Sequence, residues 1–152
     1  MQTIGNTELL KLHKVGYFAS SHINTLSVLP TLDWATEIAK REDVAIISGF
    51  HSKMEREVLD YLLRGRCGII CALARVIYQQ IPFKYLQAYD QNRVLFITEE
   101  TLPSIVRAGK YYTTKRNQLV ATLSDELVFS SLTPESSLFS ISQTASKPVL
   151  LL

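Results

Sequence analysis

The chain has 152 residues and a mass of 17.2 kDa, 47% of them hydrophobic and 20% charged, a balance that can bury a core and is too apolar for disorder. Sixteen Lys and Arg against fourteen Asp and Glu leave a formal charge of +2, so there is no broad basic footprint for duplex DNA and any nucleic-acid contact must be local. No apolar run approaches the roughly 20 residues a membrane span needs, and the first ten residues do not read as a secretory signal, so the expectation is one domain, 1–152, in the cytoplasm.

In chain order, residues 12–20 read as a first strand. A Ser/His/Asn-rich turn follows, then a helix carrying Trp34, Ile38 and Ala39 with Pro30 near its start. Residues 44–49 form a second strand. Ser52 and Glu55 have the spacing of a capping box, which places a helix start there; Met54, Val58, Leu59, Leu62 and Leu63 share its core face. Gly65 is expected to end this helix in the left-handed conformation.

Residues 67–73 read as a buried third strand, 83–89 as a short helix behind Pro82, and 93–98 as a fourth strand. After a polar stretch come a helix around 116–123, a strand at 126–130, a Ser-rich loop, and a last strand at 149–152. Alternation of period two and period 3.6 in this order is the pattern of repeated βα units. The predicted fold class is α/β, a Rossmann-like three-layer sandwich with a largely parallel sheet of about six strands. Ligands of such folds bind beyond the carboxyl ends of the strands, which directs attention to loops 20–25, 49–53, 73–82, 98–117 and 130–137.

The richest of these is Lys110-Tyr111-Tyr112-Thr113-Thr114-Lys115-Arg116-Asn117, with three cations, two aromatics and an amide just before the expected helix. Arg116 can fork onto a phosphate, a helix N-terminus adds backbone donors, and the face of Tyr111 or Tyr112 can stack on an unpaired base. The same spacing also fits a solvated loop with its tyrosines in the core. Ser48-Gly49 after the second strand offers either a backbone approach to an anion or a simple packing turn.

His13, His22 and His51 lack metal-ligand spacing, although His22 and His51 both follow strands and can meet at the rim of the sheet. Glu55 reads as a capping residue and Asp125 as a turn residue. Cys67 and Cys71, about 13 Å apart along a strand, are expected to be buried thiols and not a disulfide. G-x-S-x-G, Walker A and G-x-G-x-x-G patterns are missing, so hydrolase, P-loop and dinucleotide readings have no positive support.

The stretch Arg116-Asn117-Gln118-Leu119-Val120-Ala121-Thr122-Leu123-Ser124-Asp125 resembles the R-N-R-x-I-A-G-L-S-D segment of the DprA (Smf) family of DNA-processing proteins. Ala45-Ile46-Ile47-Ser48-Gly49 is similar to that family's I-V-S-G strand end, Val76-Ile77-Tyr78 to its V-I-Y-P turn, and Glu135-Ser136-Ser137-Leu138-Phe139-Ser140 to its S-G-S-L-I-T loop. These matches keep the family's order and cover roughly residues 15–152.

The resemblance implies a domain that binds single-stranded DNA and, in transformable bacteria, passes it to the recombinase RecA, as a homodimer, without catalysis, a cofactor or a metal. It places Ser48 and Gly49 in the pocket, Arg116 and Asn117 on phosphate or the pocket wall, and Ser136 and Ser137 in the facing loop. Lys115 stands for a family arginine and offers a point charge in place of a fork. The family's G-S-R after the first strand is here Ala19-Ser20-Ser21, its G-S-G after the third is Cys71-Ala72-Leu73, and its A-R-G-I-D is His51-Ser52-Lys53-Met54-Glu55. Two further readings stand beside it: a small-nucleotide sensor or phosphoribohydrolase-like enzyme, and a scaffold that has lost its ligand and serves as an interaction subunit.

Overall fold

In a computed structural model of the chain, described for residues 1–102, 104–105 and 109–152, seven strands form one sheet with helices on both faces. The elements are β1 (Gln2–Gly5), β2 (His13–Ala19), α1 (Val28–Ile38), β3 (Val44–Ser48), α2 (Lys53–Leu63), β4 (Gly68–Ala72), α3 (Leu86–Asp90), β5 (Val94–Thr98), α4 (Lys110–Leu123), β6 (Glu126–Ser130), α5 (Phe139–Thr144) and β7 (Val149–Leu151). Their order across the sheet is β1-β5-β4-β3-β2-β6-β7. All neighbours are parallel except β1, which runs antiparallel to β5.

The inner strands are apolar at consecutive positions because both faces are covered. Side chains of successive residues leave a strand on opposite sides, so Tyr17, Ile46, Ile69 and Phe96 pack under α1 and α2, while Phe18, Ile47, Ile70 and Leu95 pack on the α4 side. On the first face Trp34 stacks on Tyr17 with centroids 5.1 Å apart. Both cysteines are free and buried, and burial pushes each thiol up to about 11.

Three expectations need correction. The sheet has seven strands and not about six: β1 is polar and largely exposed, so it carries no hydrophobic alternation, and it pairs along the edge of β5 through its backbone. Gly5, at φ +117, makes the turn that follows, where a Cβ would collide with the Val94 carbonyl. Gly65 is not left-handed; α2 ends at Leu63 with Arg64 as its C-cap, and Gly65 is small because it lies against the backbone of Ala39.

The third correction bears on function. The stretch from Lys110 is not a loop ahead of a helix: α4 starts at Lys110, capped by Gly109 without a side-chain bond. Paired tyrosines and β-branched threonines are weak helix formers, which hid this start from sequence. The hydroxyls of Thr113 and Thr114 instead donate back to the Lys110 carbonyl, each at 2.9 Å, and so satisfy it within the first turn.

Candidate nucleic-acid interface

The chain runs outward from β2 through β3, β4 and β5, then returns through α4 to place β6 on the other side of β2. This reversal leaves a crevice at the carboxyl ends of β2 and β6, where folds of this kind take ligands. A cleft of about 580 Å³ occupies it, walled by the loop after β2, the start of α2, one face of α4 and the loop after β6.

Buried hydroxyls join β2, β6 and α1 beside it. Tyr17 Oη, Ser130 Oγ and Thr31 Oγ1 form a chain with both distances 2.7 Å. Ser131 Oγ accepts from the Asn24 amide at 2.6 Å and ties the two flanking loops together.

Glu55 is the first surprise. It does form the capping box with Ser52, but its carboxylate does more: Oε1 accepts from the amides of His51 and Ser52 at 2.9 and 3.1 Å, and Oε2 from the amide of Ala19 at 3.0 Å. A side chain that is 7% exposed thus occupies the backbone donors that two strand-end loops present. Phe50, held at φ +47, makes the sharp turn that aims the His51 and Ser52 amides at it, and its own amide donates to Ser48 Oγ at 3.1 Å.

Arg116 is the second. It lies in the second turn of α4, so the expected help from helix N-terminal amides is not available to it. The side chain is 7% exposed, and its guanidinium sits over Gly49, where a Cβ would collide with it. Nε donates to Asn117 Oδ1 at 2.9 Å, and among the described residues no group accepts from Nη1 or Nη2. Burial lowers the affinity of this guanidinium for its proton, and the nearby charge of Glu55 opposes that shift. It remains a cation.

Because α4 starts at Lys110, the expected basic cluster is divided between helix faces. Thr113, Arg116 and Asn117, three and four residues apart, line the cleft. Tyr111, Tyr112 and Lys115 do not: the tyrosines meet edge to face at 5.1 Å, and the Lys115 ammonium lies 5.4 and 5.9 Å from their centroids. That ammonium also pairs with the buried Glu100 carboxylate at 3.0 Å, which raises the lysine above its usual value. Lys110 is exposed at the helix start and also lies outside the cleft wall.

Of the other expected site residues, Ser136 and Ser137 line the cleft opposite Arg116, with Ser136 Oγ fixed by the Leu138 amide. Ser48 is fully buried and braces the turn, while Gly49 provides the space that Arg116 fills. His22 and His51 both line the cleft. Sequence reasoning missed the anchoring role of Glu55, the wall residue Thr113 and the acidic Glu135; Thr113 was hidden by the misplaced helix start. Residues 103 and 106–108 of the loop expected at 98–117 lie outside the described residues. The described residues hold no group of three or more metal-ligating side chains, and no helix among them is long and apolar enough to cross a membrane.

An open, mainly parallel sheet with a crevice at its point of strand reversal defines a Rossmann-like fold with a ligand cleft. Among solved structures it is the fold of the DNA processing protein A domain. The Streptococcus pneumoniae protein matches with a TM-score of 0.73 and 18% identity over 98% of this chain and 53% of its own. The Helicobacter pylori protein, studied for its single-stranded DNA binding mode, matches with a TM-score of 0.75 and 24% identity over 98% of this chain and 69% of its own. The chain therefore spans about half the length of the first of these. A molybdenum cofactor carrier protein from Chlamydomonas reinhardtii shares the architecture more loosely, with a TM-score of 0.56 and 14% identity over 93% of this chain and 76% of its own. No protein-family model and no curated protein matches the sequence.

Proposed function

We propose that the cleft between the β2 and β6 loops binds single-stranded DNA or a nucleotide, without catalysis, in a DprA-like role in DNA processing. The observation that carries this reading is Arg116, a buried cation in the wall of the ligand crevice, whose Nη1 and Nη2 have no partner among the described residues. A guanidinium so placed suits a phosphate, which it can hold through two parallel bonds. Thr113, Asn117, Ser136 and Ser137 add neutral hydrogen-bonding groups along the same cleft.

The electrostatics favour a short or weakly held strand. Glu55 and Glu135 share the cleft with Arg116, and Lys115 is already paired, so few phosphates are neutralised. Each one that is contributes about 0.7 to the slope of log affinity against log salt. Delivery to a RecA-type recombinase, homodimerisation, natural transformation and a cytoplasmic location belong to the same proposal.

A second reading, a scaffold that no longer takes a ligand, is favoured by one observation: Glu55 already occupies three backbone donors that an anion would use. Competition separates the two. If single-stranded oligonucleotide or nucleotide displaces a labelled single strand while duplex does not, the proposal holds; if no labelled strand binds at low salt, the scaffold reading replaces it.

A further inference from the structure

Glu55 sets a charge condition on whatever enters the cleft. Its carboxylate takes the amides of Ala19, His51 and Ser52 at 3.0, 2.9 and 3.1 Å, at the end of β2 and just before α2. Amides at strand ends and helix starts are the donors that folds of this kind offer to a phosphate. Here they are filled by a side chain of the protein itself, held in its own capping box.

What remains for an incoming phosphate is one cation. Among the described residues, the charged groups lining the cleft are Arg116, Glu55 and Glu135, beside His22 and His51. Arg116 has Nη1 and Nη2 without a partner among the described residues, enough for one pair of parallel bonds to one phosphate. The charge of Glu55 acts on the same guanidinium. A phosphodiester brings one negative charge, whereas a terminal phosphomonoester brings about 1.5 to 2 at pH 7. Arg116 balances the first charge. Any second charge meets the Glu55 carboxylate, and the amides that could have stabilised it are already bonded.

We propose that Glu55 is a specificity-determining residue that selects by charge: the cleft accepts an internal phosphodiester on Arg116 and rejects a terminal phosphomonoester. It therefore takes a strand in preference to a free mononucleotide. Like charges brought together at a binding surface are an effective means of rejecting the wrong partner. This selection rests on the nucleic-acid reading above and narrows its ligand to the diester.

The test uses thymidine 5′-monophosphate and its methyl ester, which differ by one esterified oxygen and the charge it carries. Each is titrated against a labelled single strand bound to the protein. The wild type is expected to bind the methyl ester at least about tenfold more tightly than the monophosphate. In Glu55→Gln the preference should fall below about threefold, through a gain for the monophosphate. Glu135 is exposed, so Glu135→Gln, which serves should Glu55→Gln fail to fold, is expected to narrow the preference by no more than about threefold. Equal displacement by the two ligands in the wild type, or a methyl ester that does not displace the strand, overturns the selection and leaves strand binding intact. A folded Glu55→Gln that keeps the full preference, or a Glu135→Gln that loses it, also overturns the role of Glu55. If the labelled strand itself does not bind, both readings fall.

Discussion

The guanidinium of Arg116 occupies the space that a side chain on Gly49 would need: a Cβ there would collide with Cζ, Nη1 and Nε. The colliding atoms end a flexible side chain, so Gly49→Ala is expected to displace Arg116 at a stability cost of about 1 kcal/mol, the low end for overpacking. Affinity for single strands should fall as far as it does in Arg116→Ala. Urea denaturation and fluorescence anisotropy on the same preparations check the two halves separately.

Glu55 fixes both strand-end loops through three backbone amides. In Glu55→Gln one oxygen becomes an amide NH2 that cannot accept, leaving buried donors unpaired beside a lost charge-assisted bond. The expected loss of unfolding free energy is about 3 kcal/mol, read from the urea midpoint.

Lys115 is expected to act on folding more than on binding. Its ammonium is committed to Glu100, so Lys115→Ala should change single-strand affinity by less than about fivefold. It strands a carboxylate that is 9% exposed. Because Lys115 itself is one-third exposed, the urea midpoint should fall by less than it would for a fully buried pair. Anisotropy and urea melts of this variant should therefore give the reverse of the Gly49→Ala pattern.

These two residues mark where the sequence was legible and where it was not. Strands β2 to β6 were readable because consecutive apolar residues bounded by caps and turns leave few alternatives, and Ser52 with Glu55 placed α2 within a residue. β1 was invisible because an edge strand joined through its backbone needs no hydrophobic pattern. The basic stretch from Lys110 was found, but its phase was lost: with α4 starting six residues earlier than expected, Arg116 turns inward to Gly49 and Lys115 turns to Glu100. Glu55 was read as a cap because its contact with Ala19 joins residues 36 apart, which local spacing does not reveal.

At the opposite end of the sheet, Asp125 accepts from the Lys14 amide at 2.7 Å, and that bond holds its carboxyl below the usual value. A depressed folded-state value adds stability above the unfolded-state value near 4 and loses it as pH falls through the folded one. Asp125 is half-exposed, so solvent screening limits the effect to about 1 kcal/mol. Asp125→Asn should be less stable than wild type at pH 7, with the difference vanishing as the pH is lowered below 4 in a series of thermal melts.

The most direct test of the central claim is anisotropy of labelled single-stranded and duplex oligonucleotides across a salt series, comparing wild type with Arg116→Ala. The account predicts that the wild type prefers the single strand, that its affinity weakens with salt, and that Arg116→Ala loses more than about tenfold in affinity with a slope shallower by about 0.7. Equal binding of single strand and duplex, or an Arg116→Ala protein that binds as the wild type does, would contradict it.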